Sequence, residues 1–291
     1  MVTEWSISIV IPTHIRTVAS RDLLDVQLDA LLRQDFSGDF EVVIADNGSP
    51  VPVADHIERH PLRDRLRLVY VDASGSSGAA HARNVGAAHA TGEILLFCDH
   101  DDRVYPNWVR RMVEFLDTGY DLTCSAVEGD SLNTDNPREF ARIPAPEEFQ
   151  PPGVYAPVII GTSMACRAAV YRKLGGQDSS YAANEDLEFG WRAHREGYRL
   201  GYLAEALVAY RYRKGFRPGY RQGRSRGIGL ARVHGEYPNN GLPEIRLRPV
   251  LSQIVRVPFT RGLVAEERGL MFGLAVGQFR GGLRYRTLRW A

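Results

Sequence analysis

The chain has 291 residues, of which 44% are hydrophobic, 24% charged and 10% aromatic; it is long enough to bury a sizeable core and too ordinary in composition for a disordered, collagen-like or coiled-coil protein. No stretch approaches the ~20 apolar residues that span a bilayer, and Met1-Val2-Thr3-Glu4-Trp5 leads into a strand pattern without a basic or apolar leader, so the reading is neither secreted nor membrane-spanning. The net charge of +1 hides an asymmetry: residues 1–209 carry 19 Lys/Arg against 31 Asp/Glu, whereas 210–226 and 246–291 are each +7.

In chain order, short apolar runs at 7–11, 40–45, 66–71 and 93–98 read as strands. Between them, 20–33 places Leu23, Leu24, Leu28, Leu31 and Leu32 on one helical face, 52–60 is a weaker helical segment, and 77–90 is an Ala-rich helix. This alternation means a parallel sheet with right-handed crossovers, whose ligands gather beyond the carboxyl ends of the strands. A helix follows at 106–117, with Pro106 in its first turn, and a strand at 121–126. Residues 127–157 hold six prolines and few periodic apolar positions, which suits a long surface loop or lid. Helices are expected at 167–173 and 185–196, strands at 199–203 and 207–212, and helices from about 218 onward, with no internal repeat. Cys98, Cys124 and Cys166 are odd in number and lack metal-ligand spacing; they read as reduced, which fits a cytoplasmic protein.

The strand ends are polar: Pro12-Thr13-His14, Asp46-Asn47-Gly48-Ser49, Asp72 followed by Gly75-Ser76-Ser77-Gly78, and Asp99-His100-Asp101-Asp102. Three carboxylates within four residues repel one another unless solvated or neutralised by a cation, and hard oxygen ligands without cysteine suit Mg²⁺ or Mn²⁺ together with substrate phosphates. A solvated acidic turn is the plain alternative. Gly75–Gly78 opens a helix whose free N–H groups favour phosphate, and Arg83 on that helix is either a surface charge or aimed at the neighbouring site. The GxGxxG and GxxxxGK[ST] patterns are absent.

These residues carry a resemblance. Ser8 to Thr13, Val43 to Ser49, Gly78 to Gly86, Ala90 to Glu93 and Phe97 to Asp102, followed by Gly161 to Arg167, Leu174-Gly175-Gly176, Asn184-Glu185-Asp186 and Gly197 to Leu200, resemble family 2 glycosyltransferases of the GT-A fold. The resemblance implies an α/β fold with a Rossmann-like, mostly parallel sheet. A catalytic domain over 1–212 would divide into a nucleotide-sugar half, 1–103, and an acceptor half, 104–212, with a basic, mainly helical extension over 213–291. It implies Pro12, Thr13 and Asp46 at the base and ribose, Arg83 at the nucleotide or its phosphates, and Asp99 and Asp101 as the DXD motif. Asp101 is then the direct metal ligand, and Asp99 serves the ribose or metal. Asp186 is implied as the base that deprotonates the acceptor hydroxyl, with Glu185, Asp102 and Gly161 as further sugar or acceptor contacts. Read from the residues alone, Asp46 also suits an Asx-turn before Gly48, and Asn184 to Asp186 a helix start.

The implied activity is inverting, metal-dependent transfer of a single sugar from a nucleoside-diphosphate sugar to a hydroxyl, in cell-envelope polysaccharide or specialised-metabolite glycosylation, with Mn²⁺ or Mg²⁺ and without nucleic acid. Tyr210 stands where the family often has a histidine, Gly-Gly-Gln-Asp-Ser replaces a more usual turn before the base, and the Gln-x-x-Arg-Trp motif of processive synthases is missing. The alternatives are a non-catalytic nucleotide-sugar-binding protein and a nucleotidyltransferase. The basic tail is expected to pack on the acidic body, with peripheral attachment to the inner face of a membrane or homodimerisation as its other roles.

Overall fold

The apolar runs assemble into an eight-stranded sheet in a computed structural model that describes residues 6–135, 137, 138 and 140–290. The reading of residues 1–5 lies outside them. β1 (Ile7–Thr13), β2 (Phe40–Asp46), β3 (Leu68–Asp72) and β4 (Ile94–Phe97) are mutually parallel in the order β3-β2-β1-β4. They are linked through α1 (Val18–Leu32), α2 (Val53–Glu58), α3 (Arg63–Leu66) and α4 (Ala79–His89). Ile9, Ile11, Val42 and Ile44 face one core with Leu24, Leu28 and Leu31 of α1. Val10, Val43 and Phe97 face the other. Burial on both faces is why β1, β2 and β4 are almost uninterruptedly apolar.

The second half comprises β5 (Arg103–Val104), α5 (Trp108–Asp117), β6 (Leu122–Glu128), β7 (Met164–Arg167), α6 (Ala168–Lys173), α7 (Glu185–Arg195) and β8 (Leu200–Ala209). The sheet continues β4-β7-β6-β8-β5, with β7 antiparallel to both β4 and β6, β8 parallel to β6, and β5 antiparallel to β8. Two expectations need correction. The strands read at 199–203 and 207–212 are one, β8, irregular where it passes Ser125 to Val127 of β6, and residues 210–212 have left the sheet. The strand read from residue 66 begins at Leu68, because Leu66 ends α3 and Arg67 takes a left-handed conformation with φ 47°. The three cysteines are buried and unpaired, and burial pushes the Cys124 thiol up to about 12.

A buried carboxylate locks the sheet's inner strands. Glu41 accepts from Ser8 Oγ at 2.5 Å, Thr91 N at 2.7 Å and Thr91 Oγ1 at 2.8 Å, while Ser8 Oγ accepts from Gly92 N at 2.8 Å. Burial works against the Glu41 charge, but these donors outweigh it and hold the carboxyl below its ordinary value of 4.5. Gly92 is obligatory here, since a Cβ would lie 2.6 Å from Ser8 N.

The extension is α8 (Phe216–Glu236), α9 (Leu247–Arg256) and α10 (Ala265–Arg284). α8 and α10 pack backbone to backbone through glycines spaced four apart, Gly219, Gly223 and Gly227 against Gly269, Gly273 and Gly277. A Cβ on Gly223 would lie 2.0 Å from Leu270 O, and one on Gly273 2.2 Å from Tyr220 O. This spacing is a helical periodicity, and it was legible in a chain read as free of repeats.

Gly223→Val should therefore cost about 1–3 kcal/mol through forced separation of the helices, lowering the melting temperature by roughly 2–4 °C per kcal/mol. Gly235→Ala, whose Cβ would meet nothing nearer than 3.5 Å, should leave it unlowered or raise it slightly, through a gain of about 0.4–1 kcal/mol in stability. Glu41→Gln should cost about 1.5–3 kcal/mol near pH 7. Because the folded carboxyl sits below its unfolded value, its contribution is present above that value and lost as pH falls through the lowered one. In urea melts the deficit should shrink as pH is lowered below 4.5.

Candidate active site

The parallel strands deliver polar residues to one edge in register. Thr13 is opposite Asp46, and Asp46 opposite Asp72. Thr13 and Asp46 are buried, and Thr13 Oγ1 donates to Ala45 O at 3.4 Å. Asp46 Oδ1 accepts from Ser49 N at 3.0 Å and Ser49 Oγ at 2.5 Å, and Oδ2 accepts from Tyr70 O–H at 3.2 Å. Asp46 thus closes the turn over Asn47 and Gly48 with a bond to the residue three on, not the two-residue Asx-turn. Burial, with the Asp46 charge beside it, pushes the Tyr70 hydroxyl up to about 12. Asn47 pins the glycine-serine loop by donating to Ala73 O and Ser76 O, each at 2.6 Å, and accepting from Gly78 N at 2.8 Å.

Because β7 runs antiparallel to β4, with Met164 opposite Phe97, the 3-10 turn Gly161–Ser163 just before β7 lies against the acids that follow β4. Thr162 Oγ1 donates to Asp102 Oδ2 at 2.5 Å, and Arg211 N, just past the end of β8, donates to Asp102 Oδ1 at 2.7 Å. Asp102 is 1% exposed. Burial, then the charges of Asp101 and Asp99, push its carboxyl well above the usual range. Its role is to join three chain segments, and both oxygens are committed to them. Asp101 forms no side-chain hydrogen bond or ion pair among the described residues; Arg211 Nε reaches only its carbonyl, at 2.9 Å.

Arg83, expected to face a nucleotide, is 4% exposed and bridges acids from two halves of the chain. Nη2 donates to Asp99 Oδ1 at 2.8 Å, and Nη1 donates to Glu185 Oε1 at 3.0 Å and Gln177 Oε1 at 3.4 Å. Burial opposes its charge, but Asp99, Glu185 and Asp186 outweigh that and raise its pKa. Glu185 is raised by burial and by Asp186, against the pull of Arg83. Asn84, next along α4, accepts from Tyr171 O–H at 2.7 Å and Gln177 N at 2.9 Å, and donates to Gln177 O at 2.7 Å. It thereby anchors the Gly175-Gly176-Gln177 turn, where a Cβ on Gly176 would strike Asn84 Oδ1 at 2.3 Å.

Asp186 stands in the first turn of α7, where the helix dipole favours acids. Oδ2 accepts from Gly161 N at 2.7 Å and Oδ1 from Leu187 N at 2.9 Å. Asn184 does not cap this helix through its side chain; it takes φ 68°. Gly161 must be glycine, since a Cβ would lie 2.8 Å from Arg83 Cζ. Tyr210 is turned to α8, its hydroxyl receiving Gln222 Nε2 at 3.0 Å and Arg226 Nη2 at 3.4 Å.

The structure thus brings Arg83, Asp99, Asp102, Gly161, Glu185 and Asp186 together, while Pro12, Thr13 and Asp46 line the edge formed by β1 and β2. The positions of Gln177, Thr162 and Arg211 were not foreseen, although Thr162 lies within the Gly161 to Arg167 motif. One further ligating-type group, Asp25, His56 and His60, joins α1 to α2 and the turn after it. Asp25 Oδ1 lies 2.6 Å from His56 Nε2 and 3.3 Å from His60 Nε2. Leu62 N donates to His60 Nδ1 at 3.2 Å, which leaves the His60 proton on Nε2, facing the carboxylate. Such a ring acts as a donor in a clasp between helices rather than as a metal ligand.

The sequence model described as Glycosyl transferase family 2 matches residues 8–175. The chain belongs to that family. It is 28% identical over 181 residues to the pre-mycofactocin glycosyltransferase of Mycobacterium tuberculosis, covering 59% of this chain and 37% of that protein. It is 29% identical over 223 residues to the validoxylamine A glucosyltransferase of Streptomyces hygroscopicus, covering 66% and 52%. The chain therefore spans about a third to a half of these curated relatives. Among solved structures, the mannosyltransferase PcManGT of Pyrobaculum calidifontis, in complex with GDP-Man and Mn²⁺, superposes with a TM-score of 0.63 at 18% identity over 98% of this chain and 73% of that one. Staphylococcus aureus TarS 1–349 with UDP-GlcNAc gives 0.57 at 18% identity over 95% and 92%. The shared architecture is GT-A.

Arg83→Met should leave two acids without their buried counter-charge and cost about 3–5 kcal/mol, read as a lower urea midpoint. Arg83→Lys retains one charge without the two-pronged reach and should fall between it and the parent. Equal stability of all three would mean that the guanidinium does not hold the two halves together.

Proposed function

We propose that this protein is an inverting glycosyltransferase that moves a single sugar from a nucleoside-diphosphate sugar to an acceptor hydroxyl, using Mn²⁺ or Mg²⁺. Residues 1–103 bind the donor, 104–212 the acceptor, and 213–291 form an extension. The observation that carries this reading is Asp186, oriented by two backbone N–H groups within the same charged network as Asp99 and Arg83. Membership of the family and the nucleotide-sugar complexes of the two solved relatives support it.

The acids after β4 fit a hard divalent cation. Asp101 is unengaged, Asp99 spends only Oδ1 on Arg83, and the carboxylate-rich edge offers oxygen donors suited to Mg²⁺ or Mn²⁺. Asp99 and Asp101 would hold such an ion, with Asp102 excluded by its commitments to Thr162 and Arg211 and Tyr210 by its orientation to α8. The chemistry an ion supplies there is neutralisation of the departing diphosphate.

The chain's own groups do the rest. Thr13 and Asp46 present polar groups to a base and ribose, where an unmatched hydrogen bond penalises the wrong nucleotide. Asp186 retains lone pairs beyond those its two backbone donors use, and it receives the proton of the acceptor hydroxyl as that oxygen attacks the anomeric carbon. Bond formation opposite the leaving diphosphate inverts the anomeric centre. Glu185, paired with Arg83, sets the charge around Asp186 rather than competing for the proton.

Thermal-shift titration with UDP and GDP, with and without Mn²⁺, tests donor binding. Stabilisation should require the metal and be lost in Asp101→Ala. Asp186→Asn should keep the stabilisation and lose about 10²–10⁴ in transfer rate; undiminished turnover would remove Asp186 as the base.

A further inference from the structure

Within the basic tail, α9 packs one face against the rest of the extension. Val250 is buried and Ile254 half-buried against α10 and the end of α8, and Val257 is buried just beyond them. Leu251, Val255 and Phe259, spaced i, i+4 and i+8, are instead 43%, 65% and 83% exposed. Helical neighbours four apart share a face, so Leu251 and Val255 form an outward apolar stripe on α9 beside its packed one, and Phe259 stands exposed in the 3-10 turn Val257–Phe259 that follows.

The outward stripe is bordered by cations. Residues 245–265 contain Arg246, Arg248, Arg256 and Arg261 and no acid. Arg246 pairs with Glu244 at 3.2 Å, while Arg248, Arg256 and Arg261 have no acidic partner among the described residues. The chain's C-terminal segment lies alongside the start of α9: Leu247 N donates to Arg289 O at 2.8 Å and Arg289 N to Ile245 O at 2.9 Å. Trp290, 82% exposed, follows directly. One end of the strip thus carries an exposed tryptophan and the other an exposed phenylalanine.

We propose that this strip is a docking surface for an anionic lipid bilayer, with α9 lying in the interface plane. Its pattern matches that occupant: an apolar face shallow enough for the headgroup boundary, arginines at its borders to meet anionic headgroups, and an indole of the kind that favours the membrane–water interface. A second copy of this chain fits poorly, because a two-fold contact through the strip would set Arg248, Arg256 and Arg261 against their own counterparts with no acid between them. The strip goes beyond the proposed transferase reading and does not depend on it.

Flotation of the full chain with vesicles tests this. Partition should favour mixed phosphatidylcholine–phosphatidylglycerol vesicles over pure phosphatidylcholine by about tenfold or more and weaken with salt. Val255→Asp with Phe259→Asp should abolish it. Arg248→Gln with Arg256→Gln, which keeps the apolar stripe, should remove the preference for phosphatidylglycerol, and unchanged melting curves would show that both variants remain folded. Equal partition to both vesicle types, or none to either at low salt, overturns the proposal. So does a dimer in sedimentation that the Asp substitutions dissociate, since the strip would then belong to a second copy.

Discussion

One guanidinium, buried among carboxylates, holds the sheet's carboxyl edge together. Arg83 reaches Asp99 from the first half of the chain and Glu185 from the second, and without it the acids of β4 and α7 would repel one another in a poorly solvated space. Buried ion pairs are weak sources of net stability but are costly to break. The value of this one lies in position: α4 cannot move without disturbing α7. Gly161 is small because Arg83 must pass close to it, and the N–H of that same glycine orients Asp186. Packing around the arginine therefore sets the direction of the carboxylate proposed as the base.

A second acid shows what crowding does when no counter-charge is supplied. Asp102, beside Asp99 and Asp101, is withdrawn from solvent and satisfied by a threonine hydroxyl and a backbone N–H. Both the burial and the neighbouring charges disfavour its ionisation. Three acids close in sequence thus divide into distinct environments: Asp99 paired, Asp101 unengaged, Asp102 tying strands together. Spacing alone makes them look equivalent. The difference arises because β7 and β8 come from later in the chain and approach Asp102 from both sides.

That is also where legibility in the sequence ends. The strands β1, β2 and β4 were readable because each is an apolar, β-branched or aromatic run buried on both faces, and β3 because its run is apolar although Val69 at the sheet's edge is exposed. β7 was not, because Met164-Ala165-Cys166-Arg167 has neither alternation nor β-branched residues and exists through pairing with β4 and β6. β8 read as two strands because Ala204-Glu205-Ala206 has weak strand preference, yet the ladder to β6 carries it through with an irregularity. At the site, the residue types were readable as acids, an arginine and glycines at strand and helix ends. Their partners were not: Gln177 and Glu185 reach Arg83 across roughly a hundred residues of chain, a contact that no local pattern encodes.

The extension follows a different physical rule. Glycine disfavours an isolated helix by about 1 kcal/mol per residue, so a helix with glycine at every fourth position is sensible only if its backbone is covered. α10 covers it, and dispersion between closely apposed backbones at the glycines adds to the ring packing of Phe216 and Tyr220 against Phe272. Some of the tail's positive charge is spent on the body, through Arg232 to Asp178 and Lys214 to Asp135. Charge pairing with the acidic domain therefore accounts for part of the asymmetry between the two ends of the sequence. Arg248, Arg256 and Arg261 beside the outer face of α9 have no acidic partner among the described residues, and because they sit beside exposed apolar side chains rather than among other polar ones, solubility alone does not explain the arrangement.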